Sequence, residues 1–353
     1  MADKVLMKGN EALAEAAIQA GCRLFFGYPI TPQTEVSAYM AKRMPKIGGT
    51  FLQAESEVSA INMVYGAAGA GARVMTSSSS PGISLKQEGL SYIVGSDLPC
   101  VIVNIVRGGP GLGGIQPAQS DYFQAVKGGG HGDYHLIVLA PSSIQELVDI
   151  MQDAFDIADQ YRMPVMILGD GMLGQMMEPV EFGTKTARTL PEKTWAANGT
   201  EGKRERNIIN SLYIEVADLE KLVLERYERY KVVEQNEVRV EEYMVEDADY
   251  VIAAYGTMAR VAKTAIAALR EEGIKVGLIR PISLWPFPTA SFEKAAETAK
   301  GFLRVEMSMG QMVEDVRLAV NGKKPVEFFG RTGGIVPTPD EICDAIRAMK
   351  EGK

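Results

Sequence analysis

The run at 100–106, CVIVNIV, is apolar at all but one position, and a strand without polar alternation has no face it can offer to water. It must be covered on both sides. The runs LIVLAP at 136–141 and PVMILGD at 164–170 repeat the pattern, and shorter strands are expected at 23–27, near 50–53 and at 73–80. Between them lie segments with helical spacing at 10–20, 33–44, 57–70, 83–95 and 142–161. Strands alternating with helices in this way predict an α/β chain built on a mostly parallel sheet with helices on both faces.

The pattern breaks at 180. A polar stretch, GTKTARTLPEKTWAANGTEGKRER, leads into a long charged helix on which Leu219, Leu222, Val223, Tyr227 and Tyr230 share one face and so are expected to pack. A second alternating series follows, with strands at 249–257, 275–281, 301–308 and 325–331. The chain therefore divides into a first domain over 1–180, a connection over 181–246 and a smaller α/β domain over 247–353. With 353 residues and 46% hydrophobic content there is enough chain for two cores.

Two strand-to-helix turns stand out. In FLQAESEVSAINMVYGAAGAGARVMTSSSSPG at 51–82, the acids Glu55 and Glu57 flank Ser56, a natural cap for the small-residue helix that follows. Acids in a first helical turn are common for dipole reasons alone. The other turn is FFGYPITPQTE at 25–35, where Gly27, Pro29 and Pro32 break the chain before a helix. In a parallel sheet two such turns lie side by side, and crevices at strand ends bind ligands.

Charge and cysteine usage exclude several classes. A net charge of −8 argues against a nucleic-acid partner. Cys22, Cys100 and Cys343 are scattered and form no CxxC, which gives no sign of a cluster or zinc site and fits a reducing, cytoplasmic setting. No apolar run reaches membrane-spanning length, and MADKVLMKGNEALAEAA lacks the apolar core of a signal peptide. His131 and His135, in GGGHGDYH, fall among glycines that disfavour a helix and are read as loop residues.

Taken together, YPITP at 28–32, QAESE at 53–57, VYGAAGAGARVMTSSSSPG at 64–82 and VRGGPGLGG at 106–114 resemble the 2-oxoacid:ferredoxin oxidoreductases, in the subunit that holds the aminopyrimidine of thiamine diphosphate. The resemblance covers essentially the whole chain and is strongest to the branch acting on 2-oxoisovalerate. It implies a pyrimidine-type thiamine diphosphate-binding domain followed by a transketolase-C-terminal-like domain, and CoA-dependent oxidative decarboxylation of a 2-oxo acid with electrons passed to ferredoxin. Register against the motif places the acid that faces the pyrimidine nitrogen on Glu57, with Glu55 as the neighbour to be distinguished from it.

Further roles follow from the same resemblance. Arg107 corresponds to a substrate carboxylate grip, with pairing to Asp121 as its structural alternative, and Thr31 to a hydroxyl near substrate or cofactor. Pro29, Ile30, Ser80, Gly108 and Gly109 are expected to line the cofactor. No metal site is expected on this chain: Mg²⁺, the diphosphate and the [4Fe-4S] clusters belong to partners, namely an iron–sulfur subunit, a gamma-type subunit and a ferredoxin-like subunit, with external ferredoxin as acceptor. Gly169–Asp170–Gly171 followed by Asn198 mimics a thiamine Mg²⁺ motif, but Pro179, Pro191 and a polar loop occupy the gap where that motif has a helix. From Gly108 to Asp121 there is no Lys or Arg to neutralise a distal carboxylate, which favours an apolar 2-oxo acid; the alternatives are the same chemistry on 2-oxoglutarate or pyruvate and, from another class, a non-catalytic assembly subunit.

In the second domain VEMSMGQMVEDV at 305–316 resembles the family's E-x-N-x-GQ segment, with Ser308 in place of Asn. Two readings stand for it. A helix beginning near Gly310 could face an anion such as coenzyme A, or the segment is a plain strand-to-helix turn. The loop GRTGGIVPTP at 330–339 has no assigned role.

Overall fold

A computed structural model describes residues 4–183 and 188–352, so 184–187 of the polar stretch lie outside the described residues. The first half runs β1 (Val5–Lys8), α1 (Gly9–Gln19), β2 (Leu24–Gly27), α2 (Thr34–Arg43), β3 (Thr50–Gln53), α3 (Glu57–Gly69), β4 (Val74–Ser78), α4 (Ser80–Gly95), β5 (Cys100–Val106), α5 (Tyr122–Val126), β6 (Ile137–Leu139), α6 (Ile144–Tyr161), β7 (Pro164–Asp170), α7 (Gly171–Gln175) and β8 (Met177–Val180). Then come α8 (Val216–Asn236), β9 (Val240–Tyr243), β10 (Tyr250–Ala253), α9 (Gly256–Glu271), β11 (Val276–Pro281), β12 (Ser283–Trp285), α10 (Thr289–Thr298), β13 (Gly301–Glu306), α11 (Met312–Val320), β14 (Val326–Gly330) and α12 (Pro339–Glu351).

The larger sheet has the order β12-β6-β7-β5-β4-β2-β3. Its six strands from the first half are parallel, and β5 and β7 are buried along their whole length, as an apolar run requires. Helix α1 packs with α6, and α3 with α4. The smaller sheet, β14-β13-β10-β11-β9, is parallel except at β9, an antiparallel edge drawn from the segment read as a connection. The larger sheet in turn takes β12 from the second half, antiparallel to β6. Strands β1 and β8 form a small antiparallel pair beside α1.

Two expectations are corrected. Helix α4 begins at Ser80, not 83, so the strand ends two residues earlier, at Ser78. On α8 the expected face packs in part: Tyr230 is buried with Arg226 and Val233, Leu222 and Val223 are half-buried, and Leu219 and Tyr227 are 46% and 39% exposed, Tyr227 still meeting the rings of His135 and Tyr230. The docking face is turned toward an aromatic group in which His135 stacks on Trp285 and Tyr230 meets both edge-on. Arg226 satisfies its charge on Asp97, which is how an arginine comes to be buried here.

The two halves are joined by buried polar contacts. Gln119 donates its backbone N–H to Met307 O and its Nε2 to Tyr255 O, while its Oε1 accepts from Met307 N. Gln311 accepts from Phe123 N and donates to Ser120 O. Tyr122 Oη donates to Asp315 at 2.6 Å, and Thr257 Oγ1 to Asp170 at 2.6 Å. Behind them the Arg304–Glu306 pair is fully buried.

Glu306 also accepts from the backbone N–H groups of Gln311, Met312 and Val313 and from Ser308 Oγ. The chain's own carboxylate thus fills the first turn of α11. That corrects the reading of a free, anion-facing turn, for a negative group there is already satisfied. Replacing Glu306 by Gln strands Arg304 and weakens the cap, and is expected to lower stability by about 3 kcal/mol, read by thermal or denaturant unfolding.

Candidate active site

The parallel strands β2, β3, β4 and β5 all end on one edge, and each hands over to a turn that carries site residues. After β3, Ser56 caps α3, its Oγ accepting from Ser59 N. Extended backbone at the cap sends the two acids different ways. Glu55 stays at the surface, where the Ser59 hydroxyl donates to it and holds its carboxyl below the usual range. Glu57 turns inward and is 5% exposed, and among the described residues no group donates a hydrogen bond to its carboxylate.

What lets Glu57 lie there is Gly82 in the first turn of α4. A Cβ at that position would stand 2.1 Å from Ser78 Oγ and 2.5 Å from Glu57 Oε1, both far inside contact distance. Two residues earlier Ser80 grips the end of β5: its Oγ accepts from Arg107 N at 3.1 Å and donates to Arg107 O at 3.2 Å. Ser80 N donates to Asn104 Oδ1, and Asn104 Nδ2 to Asp121. Burial pushes the Asp121 carboxyl up, against the opposing hydrogen bond from Asn104.

Arg107 is not paired with Asp121. Its guanidinium reaches over the crevice, Nη1 donating to Thr31 O at 2.8 Å and Nη2 to Leu112 O at 2.9 Å, while Nε has no partner. Five donors on a buried fork with two engaged leave capacity for an anion. The loop after β5 folds back on itself, Gly114 N donating to Gly108 O and Gly108 N to Gln116 O. Gly113, at φ +59°, has no room for a side chain, since a Cβ would meet Gly108 O at 1.8 Å.

The turn Tyr28–Gln33 is held from below. Gln33 is buried, donating to Tyr28 O and accepting from Ser77 Oγ, and Asn10 and Gln175 both donate to Pro32 O. Thr31 is exposed, with Pro29 and Ile30 beside it. Thr31 opens onto a cleft of ≈ 630 Å³ whose walls include Ile115, Pro117, Met172 and Val336, with Gly334 from the loop after β14. That loop packs on the glycine loop, Gly334 lying against Gln116. The one charged residue in the lining is Glu35. Burial raises its carboxyl pKa, but hydrogen bonds from its own backbone, Asn10 and Gln175 and the charge of Lys8 outweigh this and hold it low.

Arg107 therefore touches both Thr31 and Ser80, and Glu57 lies against Gly82 in the first turn of α4 that Ser80 opens. Asp170 and Asn198 are not partners. Asp170 caps α7 through Met172 N and Leu173 N and accepts from Thr257, and burial pushes its carboxyl up despite these bonds. Asn198 accepts from Arg204 in an exposed loop. Among the described residues no group of three or more His, Cys, Asp or Glu side chains is placed to hold a metal. The cysteines are buried, with Cys22 and Cys100 pushed up to about 12 by burial, and no described helix is long and apolar enough to cross a membrane.

Sequence reasoning missed Gln33 and Lys86. Lys86 is wholly buried one helical turn after Gly82, its Nζ donating to Thr76 Oγ1 at 3.0 Å. A signal was present, because Ile83, Lys86 and Leu90 share the apolar stripe of α4.

These features define a class before any particular relative. The chain belongs to the family described as pyruvate flavodoxin/ferredoxin oxidoreductase, thiamine diphosphate-binding, which matches residues 15–245, and the pyruvate:ferredoxin oxidoreductase core domain II matches 248–342. It is 50% identical over 346 residues to the ketoisovalerate oxidoreductase subunit VorB of Methanothermobacter marburgensis, covering 98% of this chain and 97% of that one. It is 37% identical to the 2-oxoglutarate synthase subunit KorA of the same organism, covering 99% and 100%. Among solved structures it is similar, with a TM-score of 0.89 and 31% identity, to the 2-oxoglutarate:ferredoxin oxidoreductase from Magnetococcus marinus with 2-oxoglutarate, coenzyme A and succinyl-CoA bound. That similarity covers 98% of this chain, which spans 65% of the length of the solved one.

Gly82→Ala is expected to push Glu57 off its seat. A crystal structure of the variant should show the carboxylate displaced, with a loss of about 1–3 kcal/mol in stability from overpacking.

Proposed function

We propose that this chain is the pyrimidine-holding subunit of a 2-oxoacid:ferredoxin oxidoreductase that converts a branched-chain 2-oxo acid, coenzyme A and oxidised ferredoxin to acyl-CoA, CO₂ and reduced ferredoxin. The observation that carries it is Glu57, an inward carboxylate with no internal hydrogen-bond donor, seated against a position where only glycine fits. Such a group suits one ligand nitrogen and is wasted on structure. Thiamine diphosphate, when bound, supplies the carbanion chemistry that releases CO₂ from a 2-oxo acid.

The chain's residues do the rest. Glu57 binds the pyrimidine N1′ and shares a proton with it at a carboxylate oxygen. Arg107 holds the substrate carboxylate with the donors that Thr31 O and Leu112 O leave free, and Ser80 fixes its backbone. The Thr31 hydroxyl makes no hydrogen bond among the described residues, and Thr31 is exposed with its carbonyl held by the Arg107 guanidinium. Pro29, Ile30, Gly108 and Gly109 give close, side-chain-poor walls that keep water from the reacting atoms.

Two observations support a branched apolar substrate. The relative named for ketoisovalerate is 50% identical, against 37% for the 2-oxoglutarate one, and the loop that follows Arg107 carries no Lys or Arg from Gly108 to Asp121 to neutralise a second carboxylate. 2-Oxoglutarate remains the second reading because the solved relative carries it. Mg²⁺, the diphosphate grip and the [4Fe-4S] clusters are assigned to partner subunits of the iron–sulfur, gamma and ferredoxin-like types. The engagement of Asp170 in capping α7 supports this. The three buried thiols suit a reducing cytoplasm.

In the reconstituted complex Glu57→Gln is expected to cut turnover at least about a hundredfold while assembly is retained. Near-normal turnover would sink the assignment and leave a non-catalytic assembly role. Assayed on a panel of 2-oxo acids, the wild-type complex should prefer 2-oxoisovalerate to 2-oxoglutarate in kcat/KM by at least about tenfold.

A further inference from the structure

Lys86 is an ammonium in a place where an ordinary helix carries an apolar side chain. It has no solvent exposure, and its one described hydrogen bond goes to the neutral Thr76 hydroxyl. Burial pulls its pKa down to about 8, and the charge that opposes this is Glu57. Glu57 is buried as well, and among the described residues no hydrogen bond satisfies its carboxylate.

The other ionisable groups nearby are engaged elsewhere, Asp121 among them through Asn104 Nδ2. On α3 the other ionisable group is Tyr65, whose hydroxyl meets Ser96. Strand β4 carries none, and β5 offers the Cys100 thiol, which burial pushes up to about 12. On α4, Glu88 and Tyr92 bond to each other at the surface. Glu55 is engaged outside with Ser59, and Arg107 is turned to Thr31 and Leu112. Glu57 Oε1 lies against Gly82, and Lys86 is one helical turn further along the same buried face of α4, so a buried cation and a buried anion lie near each other without a direct ion pair. Their attraction is large in a low-dielectric interior because water cannot screen it.

We propose that Lys86 is a positioning residue for Glu57: the buried ammonium is the counter-charge that keeps the carboxylate inward and sets how readily it takes up a proton. Thr76 anchors the ammonium, and Gly82 leaves the space in which the carboxylate lies. The link from this pair to catalysis rests on the thiamine reading, whereas the charge coupling itself does not.

The test uses Lys86→Met and Lys86→Arg. In the reconstituted complex, Lys86→Met should move the acid limb of the kcat/KM profile upward by about one pH unit, because removing a nearby positive charge makes a carboxylate easier to protonate. KM for the 2-oxo acid should stay nearly unchanged. In the full chain without cofactor, the carboxylate infrared band that Glu57→Gln removes should titrate at higher pH in Lys86→Met than in wild type.

Lys86→Arg keeps the charge and should leave both readouts near wild type. If the methionine variant does not fold, the arginine variant still decides, since a shift with the charge retained overturns the proposal. A folded Lys86→Met with an unmoved band and an unmoved acid limb overturns it too. Normal turnover in Glu57→Gln would instead remove the thiamine reading, and the infrared comparison would still report on the charge pair.

Discussion

The first turn of α4 sets the geometry on which the site depends. The carboxylate of Glu57 and the backbone of Arg107 come from different strands, and both are located by residues within one helical turn, Gly82 by having no side chain and Ser80 by a two-way hydrogen bond. This explains why the segment 78–82 is built from serines, one proline and a glycine. Short hydroxyl side chains satisfy strand-end backbone at close range, and a side chain at position 82 would collide with Ser78 and Glu57. Arg107 then ties the turn at Thr31 to the glycine loop at Leu112, so that four strand ends act as one rigid edge.

The second half of the chain braces that edge. The segment 305–316 has no free helix terminus to offer a ligand, because Glu306 occupies it, and Gln311 instead bonds to Ser120 and Phe123 of the first half. Gln119 makes the reciprocal set of bonds to Met307 and Tyr255. Amide side chains suit this work, since each carries a donor and an acceptor and can close a buried contact without leaving a charge. The interface is therefore more specific than an apolar one, and it presents the loop at Gly333–Gly334 to the cleft in a fixed pose.

Much of this was legible in the sequence, and the parts that were not share a cause. The central strands announce themselves through unbroken apolar runs such as CVIVNIV, and Ser56, Glu57 and Arg107 through turn chemistry and motif. Strands β1, β8, β9 and β12 did not, because each is a three- or four-residue edge paired with a distant part of the chain, and nothing local encodes that pairing. The buried Lys86 was hidden for a related reason. A lysine on an apolar stripe reads as a snorkelling surface residue until the fold shows what covers it. The serine at 308 looked like a departure from the family pattern, yet its hydroxyl donates to Glu306 and so supports the same cap.

The pairing of Ser283 and Trp285 with Leu139 and Val138 has a consequence for biosynthesis. Strand β6 emerges from the ribosome long before β12, so the nascent larger sheet carries an open, apolar border until the chain has been made through Trp285. An unguarded sheet border is a template for pairing with another molecule. The order of synthesis therefore makes the late-made strand a guard against self-association, and a nascent chain stalled near the end of α8 is the form most exposed to it.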